Sequence, residues 1–256
     1  MDTGREVYPA VAALTEEKRE EGKRLADHLG VPLYTCREDT EGLSMVLRLD
    51  DAGLTLVSGN LSLRGDFGRM LRRVTGGRLD HELLVKAARR KNFGLFPRAV
   101  DATAGLGEDS FLLAAAGFHV TLCEYNPVTA ALLKDAHARA LEDPDLSEIA
   151  ERMEVEETDS LSYLASLKEG PDLILLDPMF PAKQKNALTV KKLQLLQKLE
   201  RPCAGEEELL DAAIQAGPEK IIIKRPLKGP FLAGRKPGYS IEGKTIRYDC
   251  LVFPGK

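Results

Sequence analysis

Cysteine is scarce in this sequence and scattered. Cys36, Cys123, Cys203 and Cys250 stand far apart and form no C-x-x-C pair, which argues against a disulfide framework or a zinc site and predicts buried free thiols. The four histidines (His28, His81, His119, His137) have no metal-ligand spacing, so metal catalysis finds no support. No apolar stretch approaches the roughly 20 residues that a membrane helix needs. The N-terminus, MDTGREVYPAVAAL, has neither the basic start nor the apolar centre of a signal peptide. A cytoplasmic protein is the expectation.

A general excess of positive charge is also missing, since the formal net charge is −4. That argues against a surface uniformly coated by nucleic acid. The distribution says more than the sum. From Leu61 to Asn92 there are nine Lys/Arg against three acids, and from Ala182 to Lys198 five lysines and no acid. Cations gathered locally in an otherwise acidic chain form the footprint expected for a polyanion, although a solvated helix face would read the same way.

What is present is an ordinary globular composition, with 43% hydrophobic and 30% charged residues. At 256 residues the chain can bury one large core, or a core with a smaller appendage. Residues 1–60 read as a small N-terminal α/β region: a charged helix near Thr15–Leu29, then SMVLRLD and GLTLVSG joined by a turn at Asp50–Gly53. Residues 61–97 read as a basic connecting segment. The stretch Gly59–Gly77 looks like a surface loop or short helix, and an amphipathic helix is expected at about Asp80–Lys91. From residue 98 to 256 strands and helices alternate: RAVDAT, EDSFLLAAAG, FHVTLCE, NPVTAALLKDAHARALED, RMEVEETDS, SLSYLASLK, PDLILLD, EELLDAAIQAG and EKIIIKRP. That alternation predicts an α/β fold with a doubly wound, Rossmann-like, mostly parallel sheet. The tail GYSIEGKTIRYDCLVF adds an antiparallel C-terminal hairpin. Asn126 is the expected N-cap of the long helix, with Pro127 at its first position.

In such sheets ligands lie beyond the C-terminal strand ends. The first strand ends at Asp101 and runs through Ala102-Thr103-Ala104-Gly105-Leu106-Gly107 into a helix. Gly105 and Gly107 permit a tight turn and close backbone approach, though a lone G-x-G is also a plain strand-to-helix turn. Ser110 replaces the third glycine of G-x-G-x-x-G, and Asp101, Glu108 and Asp109 make the loop acidic. Acids repel a pyrophosphate and suit a cation, which favours S-adenosylmethionine, with its sulfonium and amino group, over a nicotinamide dinucleotide. Glu124, seventeen residues after Gly107, ends the next strand, where a carboxylate accepts ribose hydroxyls. Asp159 and Ser160 end the third strand, placed to receive an adenine amino group or to cap the following helix.

The fourth strand stops at Asp177-Pro178-Met179-Phe180, which resembles the [D/N]-P-P-[Y/F] motif of methyltransferases acting on conjugated amines. The lone pair of such an amine is delocalised and feebly nucleophilic. The Asp177 carboxylate and the Pro178 carbonyl can accept its two N–H bonds, letting the nitrogen pyramidalise, while Phe180 offers a face for the base. Met179 departs from the second proline, and removes no group that touches the amine.

Taken with DATAGLGEDS, EYNPVTAALL, LDPMFPAKQKNAL and IIIKRP, the sequence resembles the RsmJ family, the bacterial 16S ribosomal RNA guanine-N2 methyltransferases. The resemblance is close from Arg98 onward and looser over residues 1–60. It implies a class I methyltransferase sheet and S-adenosylmethionine contacts at Glu108–Asp109, Glu124–Tyr125, Asp159–Ser160 and Asp177; Tyr125 comes from the resemblance alone. It also implies that 16S ribosomal RNA or the small ribosomal subunit is the partner. Lys183 and Lys185, then Lys224 and Arg225, would hold phosphates beside a flipped guanine, with Arg69, Arg72 and Arg73 as further RNA contacts. Lys191, Lys192 and Lys198 read as a solvated face. The alternatives are another conjugated amine (DNA adenine or protein glutamine), a nicotinamide oxidoreductase, or an inactive RNA-binding protein. The acidic loop and the lack of a hydride-relay residue speak against the second, and intact Asp101, Glu124 and Asp177 against the third.

Overall fold

A computed structural model describes residues 9–89, 95–178 and 205–253. These divide into two compact units that are not sequential: residues 9–65 with 126–139, and residues 66–125, 140–178 and 205–253 as described.

The first unit holds a five-stranded sheet in the order β2-β1-β3-β4-β5, with β1 Ala10–Ala13, β2 Leu33–Tyr34, β3 Val46–Asp50, β4 Gly53–Ser58 and β5 Leu61–Leu63. The hairpin predicted at Asp50–Gly53 is present; Asp50 pairs with Gly53, which takes φ 102°. Helix α1 (Arg19–Leu29) lies on β1, and Gly22 is the contact point: a Cβ there would stand 2.7 Å from the Ala13 Cβ. The helix begins four residues later than Thr15 and ends at Gly30 in the left-handed conformation (φ 64°).

The second unit holds a seven-stranded sheet built from β6 Arg98–Asp101, β7 His119–Glu124, β8 Met153–Glu157, β9 Leu173–Leu176, β10 Lys220–Pro226, β11 Tyr239–Glu242 and β12 Ile246–Val252. Its order is β11-β12-β10-β9-β6-β7-β8. Strands β8, β7, β6, β9 and β10 are parallel, while β12 pairs antiparallel with both β10 and β11. The doubly wound sheet and the closing antiparallel hairpin are therefore both as expected. Strand β9 shows why an unbroken apolar run forms a central strand here: Leu173, Ile174, Leu175 and Leu176 are all completely buried. Each contributes about 1.5–3 kcal/mol by leaving water. The chain steps outward from β6 to β7 and β8, then returns to β9 on the other side of β6. This is the topological switch, and the crevice opens at the ends of β6 and β9.

In chain order, α2 (Leu71–Val74) and α3 (Leu83–Ala88) precede the strands of this sheet, and α4 (Glu108–Ala115), α5 (Pro127–Glu142), α6 (Ser147–Ala150), α7 (Ser160–Ser166) and α8 (Glu206–Gln215) come between them; α5 belongs to the first unit up to residue 139. Asn126 caps α5 as predicted, its Oδ1 accepting the Val128 and Thr129 N–H groups at 3.0 and 3.1 Å. The helix expected at Asp80–Lys91 is shorter among the described residues. Leu79–His81 forms a 3-10 turn, and α3 starts only after Glu82, whose carboxylate pairs with Arg73 instead of capping. Residues 59–77 are not all surface: Phe67 and Met70, one 3-10 turn apart, are buried, and Phe67 stacks on Phe111 with ring centroids 5.0 Å apart. Of the thiols, Cys123 and Cys250 are buried but Cys36 is exposed beside Glu38, contrary to expectation; Cys203 lies outside the described residues. No helix among the described residues is long and apolar enough to cross a membrane.

Candidate active site

The loop from β6 to α4 is shaped by its own acid. Asp101, 2% exposed, accepts the Ser110 hydroxyl at 2.5 Å and the Thr103 N–H at 3.1 Å. Burial pushes its carboxyl up to about 7, against the pull of those two bonds. Asp101 was expected to face a cationic ligand; instead both oxygens fasten the loop to the first turn of α4, so it positions the site from beneath. Gly105 (φ 56°) and Gly107 (φ 76°) make the left-handed turns that only glycine takes readily. The Gly105 N–H donates to Glu124 Oε2 at 3.0 Å, which joins the loop to the end of β7. Glu108 is exposed at the start of α4.

Beside this loop, at the end of β9, Pro178 is buried and Asp177 is partly open. The Asp177 N–H donates to the Thr103 hydroxyl at 2.6 Å, so the two strand ends across the switch are pinned together. Asp177 Oδ2 accepts from Lys224 Nζ at 2.7 Å, and the same ammonium donates to Asp109 Oδ2 at 2.7 Å. The side chains are 36, 26 and 16% exposed for Asp177, Lys224 and Asp109. Burial raises the Asp177 carboxyl above its ordinary value, and Lys224 opposes that rise. Lys224 itself is held well above its ordinary value because two carboxylates outweigh the cost of burial. Tyr248, 3% exposed, lies in the field of the same three groups, and burial pushes its phenol up.

The other expected residues separate by location. Glu124 is buried at the end of β7, followed by the exposed Tyr125. Asp159 is the cap of α7, accepting the Ser162 N–H at 3.0 Å and its hydroxyl at 2.9 Å, with Ser160 next as the first helical residue. Among the arginines, Arg69 and Arg72 are exposed, Arg69 pairing with Asp66 at 3.1 Å. Arg73, expected as an RNA contact, forms a two-pronged ion pair with Glu82 at 2.8 and 2.6 Å, which makes it a brace within the fold. Phe180, Lys183 and Lys185, with Met179, lie outside the described residues.

Two expectations need correction. Arg225 is 1% exposed; its Nε donates to the Pro230 carbonyl at 2.8 Å and its Nη1 to Glu206 at 3.1 Å, so a phosphate has no access to it. Beside it, Arg247 donates to Asp249 and to the Pro226, Leu227 and Gly229 carbonyls, and lies 5.0 Å from the Phe231 ring centroid. Lys224 is likewise not a surface cation; it bridges the two sides of the crevice. Thr103, Ser110 and Tyr248 were not anticipated. Strand alternation could have separated Lys224 from Arg225, since successive side chains face opposite sides of a sheet.

The crevice thus brings Glu108, Asp109, Glu124 and Asp177 to one strand-end region with Lys224 as the cation between two of them. Such a set of acceptors suits a ligand that carries positive charge and ribose hydroxyls, as S-adenosylmethionine does. Comparison with known proteins points the same way. The family model described as "Putative SAM-dependent methyltransferase" matches residues 37–253. The chain is 37% identical to the ribosomal RNA small subunit methyltransferase J of Pseudomonas aeruginosa, over 96% of this chain and 94% of that one. It is also 37% identical to the protein of that name from Thioalkalivibrio sulfidiphilus, over 93% and 95%. Among solved structures, a SAM-dependent methyltransferase from Neisseria gonorrhoeae is similar over 95% of this chain and 96% of its own, with a TM-score of 0.73 and 27% identity.

Proposed function

The chain belongs to the ribosomal RNA small subunit methyltransferase J family of S-adenosylmethionine-dependent methyltransferases, and we propose that it methylates the exocyclic N2 of a guanine in 16S ribosomal RNA. The observation that carries this reading is the Asp177–Pro178 pair at the end of the central strand β9, beside an acidic glycine loop on β6. S-adenosylmethionine supplies an electrophilic methyl group on a sulfonium. The residues assigned to hold it are Glu108, Asp109, Glu124, Tyr125, Asp159 and Ser160 around the Gly105–Gly107 turn.

The chain's own contribution is to make a poor nucleophile adequate. Asp177 accepts one N–H of the guanine amine and the Pro178 carbonyl the other, which turns the nitrogen lone pair out of conjugation. As positive charge develops on that nitrogen, the Asp177 carboxylate stabilises it, and one of the two N–H protons then leaves to solvent to give the neutral methylated amine. Phe180 takes the stacking role that the motif implies. The target guanine leaves its stack to enter, with unstacking energy recovered from ring contacts. We assign methyl transfer to residues 98–256 and RNA docking to the basic segment 61–97, in which Arg69 and Arg72 are the exposed candidates, joined by Lys183 and Lys185. With ribosomal RNA as the partner, the protein works in the cytoplasm.

The test is transfer of labelled methyl to small-subunit RNA, naked and within the subunit, followed by nucleoside analysis. N2-methylguanine is the expected product. Label in adenine or cytosine would overturn the assignment.

A further inference from the structure

Lys224 is where the two halves of the crevice meet. One ammonium donates at 2.7 Å to Asp177 on the amine side and at 2.7 Å to Asp109 on α4, the cofactor side. Asp177 is also fixed through its backbone N–H by Thr103. Among the described residues the side chain of Asp177 is held by Oδ2, which leaves Oδ1 to accept from a substrate. A polarising acceptor must be held in place, because a hydrogen bond loses strength steeply with misalignment.

We propose that Lys224 is a positioning residue for the transfer step: it holds Asp177 by Oδ2 so that Oδ1 meets the substrate amine, and through Asp109 it registers that carboxylate against helix α4. This rests on the function proposed above.

Electrostatics add a second duty. Asp177 is faced by Asp109 on α4, Lys224 on β10 and Tyr248 on β12, and it also feels the charges of Asp101 on β6 and, from the far side of β10, Arg225. Burial and Asp109 push its carboxyl up, and Lys224 is the largest influence pulling it down. A protonated Asp177 has lost an acceptor. Removing the ammonium therefore shifts the ionisation of Asp177 to higher pH, and the acid limb of turnover follows it.

The experiment compares wild type, Lys224→Met and Lys224→Arg. Side-chain carboxyl NMR of Asp177 needs no substrate; its ionisation moves to higher pH in Lys224→Met and returns toward wild type in Lys224→Arg. In methyl transfer, kcat of Lys224→Met falls about 10²-fold at neutral pH, the range for loss of one oriented catalytic group, and recovers partly at alkaline pH. KM for RNA stays within about twofold, as expected when ground-state binding is untouched. Unmoved Asp177 ionisation, or a raised KM with a shallower salt dependence and an unshifted acid limb, would overturn the proposal and make Lys224 a phosphate contact. Wild-type protein inert on all RNA would sink the functional reading alone, leaving the NMR result to decide on the clamp. Should Lys224→Met fail to fold, Asp109→Asn serves instead: loss of that negative charge moves Asp177 ionisation to lower pH, and no movement overturns the proposal.

Discussion

Lys224 and Arg225 are adjacent on β10, and their side chains leave opposite faces of the strand. Both are cations next to carboxylates, yet their surroundings differ. Lys224 meets two acids and little else, in a crevice where all three side chains remain partly open. Arg225 is enclosed, with a backbone carbonyl and one acid as partners, and Arg247 beside it takes three more carbonyls of the 226–229 turn. Carbonyls are permanent partners that do not titrate or change places. A buried cation held by them stays in place with the fold, and breaking that arrangement costs stability. Carboxylates held by a single shared ammonium keep capacity for a further ligand. The contrast teaches that function resides where charged groups remain open to a further ligand, not where charge is densest.

Substitutions on the two faces should divide accordingly. On the Lys224 side, Asp177→Ala is expected to reduce turnover about 10³-fold, as for loss of an oriented electrostatic stabiliser, with cofactor affinity measured by calorimetry only moderately weaker. Turnover surviving within a few-fold would place the amine-polarising group elsewhere. On the other side, Arg247→Met takes the counter-charge from buried Asp249, which keeps the Ser240 hydroxyl at 2.6 Å, and urea unfolding should show a loss of about 3 kcal/mol. A loss in activity without a loss in stability would erase the distinction between the faces. Glu206→Gln, which removes the negative charge beside buried Arg225, should cost about 1–3 kcal/mol and leave kcat within a few-fold.

Asp101 sharpens the comparison because it is buried like Arg225 but belongs to the crevice. Its ordinary ionisation near 3.8 is raised to about 7 in the folded protein, so the native state binds the extra proton. The resulting stability is fully present below the ordinary value and is lost as pH rises toward and through 7. Melting temperatures of Asp101→Asn should therefore lack the decline that wild type shows between those limits; an identical decline would mean that Asp101 ionises normally. The smallest effect is expected at the exposed periphery. Arg72→Ala should weaken RNA binding about two- to threefold at moderate salt and lower the salt slope by about one contact. An unchanged slope would remove Arg72 from the RNA surface.

Much of this arrangement was readable in the order of residues. The unbroken LILL of β9, the glycines at 105 and 107 and the cap at Asn126 each have a local cause, so the parallel sheet and the place of the crevice follow from sequence. The division of labour among charged side chains was not. Lys224 and Arg225 look alike as letters, and only the pairing of β10 between β9 and β12 decides which carboxylates and carbonyls they meet. The bonds of Asp101 escaped for the same reason: they depend on Ser110, in the first turn of α4, lying over it. Phe67 and Met70 escaped notice because a 3-10 turn has no extended periodicity to announce a buried face.

The bond from the Asp177 N–H to the Thr103 hydroxyl joins residues 74 positions apart. At the opposite end of the same strand pair, the Arg98 N–H donates to Asp172 across the same separation. Contacts of such long range form late, since the intervening chain must first be ordered at an entropic cost. The glycine loop can be synthesised, and its helix formed, well before the acceptor for the amine exists. Catalytic competence is accordingly a property of the last folding steps, and any ligand that grips both strand ends selects chains that have completed them.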